Sequence, residues 1–93
     1  QALTTLDEGL PLKPLSAKFE AFNWDCEEVV DGHSFDHLVP ALKKAANGSK
    51  PKVLIVHTTK GKGIRHFEND PGWHARKIKE EDLEIGRREL ELP

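Results

Sequence analysis

Apolar residues recur along this chain with two different periods, and the change of period marks its elements. Leu15, Phe19 and Phe22 follow Pro14 at helical spacing, which predicts a short helix over 14–22. A proline in the first helical turn costs little, because its missing N–H would have no intrahelical acceptor. Asn23-Trp24-Asp25 interrupts the pattern, and residues 26–30 read as a strand, with Val29 and Val30 suited to a pleated surface. Asp31-Gly32-His33 is a turn. Phe35, Leu38, Val39, Leu42, Ala45 and Ala46 then lie at i, i+3, i+4, i+7, i+10 and i+11, the stripe of an amphipathic helix, and Asn47-Gly48 ends it. Pro40 inside this stripe lacks a ladder N–H and crowds the preceding turn, so the helix either begins near Asp36 or His37 or kinks in its first turn. After Lys50-Pro51, the unbroken run Val53-Leu54-Ile55-Val56 predicts a strand over 52–57 covered on both faces, as in a parallel sheet.

Strand, amphipathic helix and strand within about thirty residues make a βαβ unit, whose crossover is right-handed. The fold class is therefore α/β: a parallel βαβ unit flanked by helices, a fragment of a doubly wound sheet. Residues 1–13, with Gly9 and Pro11 among scattered leucines, read as an irregular lead-in. Residues 58–77 read as a long loop, and loops of that length in compact units are functional or mobile. A terminal helix falls within 78–93, centred on 79–90. Glu80, Glu81 and Asp82 sit at its positive end and Arg87 and Arg88 at its negative end. Its apolar face is thin, which predicts shallow packing.

Ninety-three residues are one small domain or part of one. A net charge of -2 gives no general attraction to nucleic acid or anionic membrane. The four-residue apolar run is far below the roughly 20 residues that span a bilayer. Cys26 is the only cysteine, so no internal disulfide forms, which suits a reducing, cytoplasmic setting. The chain opens on Gln1 without a signal-peptide pattern, as a trimmed fragment would.

Local charge is more informative than the net value. From His57 to Phe67 there are Lys60, Lys62, Arg65 and two histidines, and no acid. Thr58-Thr59-Lys60-Gly61-Lys62-Gly63 directly follows the second strand, where ligands bind in open α/β sheets. Glycines let a backbone approach an anion and lysines supply charge, so the segment is either a phosphate site or a solvated basic loop. It lacks Walker-loop spacing. Trp73-His74 offers a histidine that could donate to a phosphate or carry a proton, or else a surface histidine beside a tryptophan anchor. His33 and His37 have helical zinc spacing, but His33 lies in the turn and no third ligand is near in sequence, so structural roles are favoured. Cys26 reads as a small core residue. Glu27 and Glu28 point to opposite faces of a strand and cannot form a carboxylate pair.

Taken in order, Lys18-Phe19-Glu20-Ala21-Phe22-Asn23-Trp24, Val30-Asp31-Gly32-His33, Lys50-Pro51, Thr59-Lys60-Gly61-Lys62-Gly63, Glu68-Asn69 and Trp73-His74 resemble the transketolase family. The match is to the C-terminal part of its thiamine-diphosphate-binding domain, or N-terminal subunit, and covers nearly the whole chain. The resemblance implies an enzyme that uses thiamine diphosphate and magnesium to move two-carbon ketol units between sugar phosphates. It implies His74 as the catalytic position that touches diphosphate and substrate, and Lys60, Gly61 and Gly63 in the loop over the cofactor. Asp31-Gly32-His33 would shape the turn before the crossover helix.

The family's metal-binding Gly-Asp-Gly element and asparagine are expected before Gln1, so no metal ligand is assigned here and the isolated chain is expected to be inactive. The implied partner is a pyrimidine-binding domain or subunit, in a homo- or hetero-oligomer. Alternatives are a non-catalytic binding module and another thiamine-diphosphate enzyme such as deoxyxylulose-phosphate synthase. Ala75 stands where the family has glycine, and a positive φ there would strain it. Without cofactor or facing domain, the loop over 61–74 is expected to be mobile.

Overall fold

The structure, a computed structural model, describes residues 1–92. In chain order its elements are α1 (Leu6–Gly9), α2 (Leu15–Ala21), β1 (Asp25–Val29), α3 (Phe35–Ala45), β2 (Lys52–Val56), a 3-10 turn (Pro71–His74) and α4 (Glu80–Glu89). They fall into two compact units: Leu12–Thr58, and Gln1–Pro11 together with the chain from Thr59 onward.

The unit over Leu12–Thr58 is the expected parallel βαβ. β1 and β2 pair in parallel, with Asp25 opposite Lys52 and Val29 opposite Val56. The ladder runs on past the strands, since His57 N–H donates to Val29 C=O at 2.9 Å and Gly32 N–H to His57 C=O at 2.8 Å. β1 starts and ends one residue earlier than expected: Val30 leaves the ladder at a bend and is 77% exposed. Asp31 Oδ1 accepts the His33 N–H at 2.9 Å, which closes the turn into α3.

α3 begins at Phe35, not at Asp36 or His37, because the Ser34 carbonyl already accepts the Leu38 N–H at 3.0 Å. Pro40 lies within the helix, where its ring leaves the Asp36 carbonyl without a ladder donor. The core is small: Val29 on β1 and Ala41 on α3 are buried. All five residues of β2 are half-buried and none is fully so, because the strand has one neighbour where a central strand has two. Glu27 and Glu28 take separate partners as their alternation requires, Lys44 at 3.0 Å and His57 at 3.0 Å. Cys26 is half-buried; burial, then Glu20 and Glu28, pushes its thiol pKa up, which keeps it protonated and unreactive.

In the other unit, residues 1–13 are not wholly irregular. Thr5 and Glu8 form a capping box around α1: Thr5 Oγ1 donates to Glu8 Oε2 at 2.7 Å and accepts the Glu8 N–H at 3.3 Å. The Leu3 N–H donates to Pro71 C=O at 3.2 Å, which ties this lead-in to the loop before α4. No helix among the described residues is long and apolar enough to cross a membrane.

Candidate functional site

The chain leaves β2 through His57 and Thr58 into the basic glycine loop, and turn chemistry builds that loop almost residue by residue. Lys62 N–H donates to Thr59 C=O at 3.2 Å, Phe67 N–H to Ile64 C=O at 2.8 Å and Asn69 N–H to Lys60 C=O at 2.9 Å. Gly61 has φ 73, and a Cβ there would stand 2.4 Å from the Phe67 carbonyl oxygen, so only glycine fits. Glu68 accepts the Gly63 N–H at 3.1 Å and draws in Lys62 at 3.8 Å. The loop's amides are therefore largely spent on the loop itself. An anion would meet side chains here, not a nest of free N–H groups.

Residues 64–73 fold back on an aromatic cluster. Phe67 and Trp73 meet edge to face at 4.6 Å, and the His66 ring sits 5.5 Å from Trp73. Trp73 Nε1–H donates to the His66 carbonyl at 3.3 Å, and Arg76 lies 4.6 Å over the indole. Asp70 caps the 3-10 turn by accepting the Gly72 N–H at 2.8 Å. Trp73 is thus the expected anchor, and the plain loop expected over 58–77 holds a short helical turn.

α4 lies along this loop as a splint. Asp82, Gly86 and Glu89 sit at i, i+4 and i+7, one helical face. Asp82 Oδ1 accepts the His66 Nε2–H at 2.7 Å, and its Oδ2 accepts the Lys79 N–H at 2.8 Å. Gly86 is buried beneath Ile64 and Phe67. Glu89 accepts the Arg65 N–H. The Lys79 N–H and, second, His66 hold the Asp82 carboxyl below the usual aspartate range. The packing is closer than the thin apolar stripe of α4 suggested, because a glycine and two carboxylates make it. These contacts give the segment expected to be a bare loop a defined set of hydrogen-bond partners.

Of the candidate residues, Lys60 is half-buried within the loop, and Lys62 and Arg65 are exposed. Gly61 and Gly63 take positive φ and shape the turn. His74 closes the 3-10 turn and is exposed. Ala75 has φ -139, so the alanine in place of the family's glycine causes no left-handed strain. His33 and His37 share no site: among the described residues no group of three His, Cys, Asp or Glu side chains could hold a metal. His66, Asp82, Gly86 and Glu89 form no motif in the sequence, and only the folded chain brings them to the loop.

The family model for the transketolase thiamine diphosphate binding domain matches residues 10–92. A 6-deoxy-6-sulfo-D-fructose transketolase subunit of Clostridium sp. (strain MSTE9) is 37% identical over 82 residues, 87% of this chain and 30% of that protein. An apulose-4-phosphate transketolase subunit of Actinobacillus succinogenes is 36% identical over 77 residues, 83% of this chain and 28% of that protein. A 1-deoxy-D-xylulose-5-phosphate synthase of Chlorobium luteolum is 44% identical over 77 residues, 80% of this chain and 12% of that protein. The chain thus spans less than a third of the length of these relatives. With the family match running over nearly its whole length, through the βαβ unit, the glycine loop and α4, the chain belongs to the transketolase family, in its thiamine-diphosphate-binding domain.

Proposed function

We propose that this chain is the C-terminal portion of the diphosphate-binding domain of a transketolase-like enzyme, acting on sugar phosphates with Lys60 and His74 facing the cofactor. The observation that carries the reading is the hydrogen-bonded glycine loop of a thiamine-diphosphate-binding domain, with Lys60, Lys62 and Arg65 set on a backbone whose amides are largely spent within the loop. The donor set suits a diphosphate. Lys60 supplies a point charge among residues free of acids from His57 to Phe67, and Gly61 and Gly63 make the turn that presents it. His74, at the end of a capped turn, can donate a hydrogen bond to a phosphate or substrate oxygen and hold or move a proton. Thiamine diphosphate, when bound, supplies the carbanion chemistry. Magnesium accompanies the diphosphate in this reading, and no residue of this chain is assigned to it.

Two relatives carry the names of transketolase subunits, which supports assembly with a second, pyrimidine-binding domain or chain. The isolated chain is inactive in this reading, and its setting is cytoplasmic. Synthesis of deoxyxylulose phosphate is the second reading, favoured by the 44% identity to the Chlorobium luteolum protein.

His74→Ala in the assembled enzyme tests the site. Turnover should fall about 10²–10⁴-fold, the range for losing one positioned proton donor or acceptor, with the thermal midpoint unchanged. Near-normal turnover would remove His74 from the chemistry. Failure of the full-length protein to bind thiamine diphosphate would favour a non-catalytic module.

A further inference from the structure

We propose that His66 is a positioning residue, which fastens the loop bearing Lys60 and His74 to the first turn of α4 through Asp82. The proposal rests on the reading of His74 given above, but its first test does not.

The contacts form one unbroken series. The Asp82 carboxylate bridges the Lys79 N–H and the His66 Nε2–H, at 2.8 and 2.7 Å. The His66 carbonyl takes the indole N–H of Trp73 at 3.3 Å, and the imidazole packs against Trp73 and Phe67. His74 is the next residue in the chain. The Asp82 side chain is 13% exposed and that of His66 32%, so their bond is part-buried. An imidazole is a costly choice for packing alone. Phe67 fills the adjoining position with an apolar ring, whereas the polar edge of His66 takes Asp82 as its partner. The same bond joins residues 16 apart in sequence, the loop on one side and the start of a helix on the other.

Two variants separate the hydrogen bond from the ring. His66→Phe keeps the packing and loses the donor. His66→Gln places an amide N–H near the position of Nε2. In the full-length protein, His66→Phe should speed amide exchange at Phe67, Glu68 and Trp73 about 10- to 100-fold, the scale of one hydrogen bond to a charged group, and leave the β2 amides unchanged. His66→Gln should restore most of the protection. The His66 ring should show Nε2 as its protonated nitrogen by ¹⁵N shifts, and Asp82→Asn should erase that preference.

In the holoenzyme, His66→Phe should lower kcat and raise KM for thiamine diphosphate, and add no further loss to His74→Ala. Unchanged exchange in His66→Phe, or no rescue by glutamine, overturns the proposal. Should the phenylalanine variant not fold, Asp82→Asn retains an acceptor for the Lys79 N–H and is read the same way. If His74→Ala is fully active, the reading of the site fails, and the exchange result still decides the clamp.

Discussion

At the scale of single residues, a few positions carry constraints that no neighbour can relieve. Gly61 combines a φ of 73 with a Cβ position 2.4 Å from the Phe67 carbonyl oxygen. Gly61→Ala should cost at least about 1–2 kcal/mol from backbone conformation alone. The thermal midpoint should drop by about 4–8 °C for each kcal/mol in a chain of this size. Gly63, with a φ of 109 and open space around its Cβ position, is the control that carries dihedral strain without a clash. A calorimetric melt of both alanine variants separates the clash from the dihedral. Asp82 gives a pH signature. Its folded pKa lies below the ordinary value because the Lys79 N–H and His66 bind the carboxylate. It therefore adds stability above its unfolded pKa of about 3.9, and that stability is lost as pH falls through the lowered folded value. Denaturant midpoints measured from neutral pH downward should show the gap between native protein and Asp82→Asn closing only in that acid window. A gap that persists at the acid end would mean the carboxylate is not what binds α4 to the loop.

At the scale of elements, the loop and α4 act as one piece. The contacts that join them reach 16 to 24 residues along the chain and use a glycine and two carboxylates on the helix face. Gly86 shows how close the approach is, since an added Cβ would meet Ile64 Cδ1 at 3.4 Å, an ordinary contact. Gly86→Ala should therefore fit and stabilise by about 0.5–1 kcal/mol through helix propensity. Gly86→Leu should lift Ile64 and Phe67 from the helix and speed exchange across residues 64–68. Urea midpoints for the alanine variant and amide exchange for the leucine variant check the two halves. A destabilising alanine would mean the helix and loop sit tighter than described. α3 presents the opposite case: its proline sits at an interior position, and the helix survives because the face carrying buried Ala41 and half-buried Leu38 and Ala45 packs on β1 and β2.

At the scale of the whole chain, the balance of buried and exposed apolar surface is unusual. Val29 and Ala41 are the buried core residues, whereas Phe22 and Phe35 are each 80% exposed and Leu42 is 57% exposed. β2 is uniformly half-buried with a single strand neighbour. Unpaired strand edges and exposed aromatics are templates for association. The chain should therefore self-associate, or bind a partner chain, as its concentration rises. Sedimentation velocity across a concentration series tests this, and a strictly monomeric protein with a cooperative melt at high micromolar concentration would contradict it.

Features that depend on neighbours along the chain were legible before any fold was known. The period-3.6 stripe from Phe35 to Ala46 and the run Val53–Val56 specify helix and strand through their periods, although much of the helical stripe ends exposed, so the βαβ unit and its parallel pairing were legible to within a residue or two. The charge pattern of α4 and the turn at Asp31-Gly32-His33 were legible for the same reason. The capped turn at Thr5 and Glu8 was written locally too, in its Thr-x-x-Glu spacing, but was obscured by the surrounding prolines and glycine. Folding decided the rest. Leu3 meets Pro71, His66 meets Asp82, and Arg65 meets Glu89 across 24 residues. Hydrophobic periodicity is blind to such contacts, because a face built from Asp82, Gly86 and Glu89 looks solvated until a loop folds onto it. His74 could be named from the sequence only as a candidate. How it is held became visible only in the folded chain, since hydrogen bonds between distant residues leave no period in the sequence.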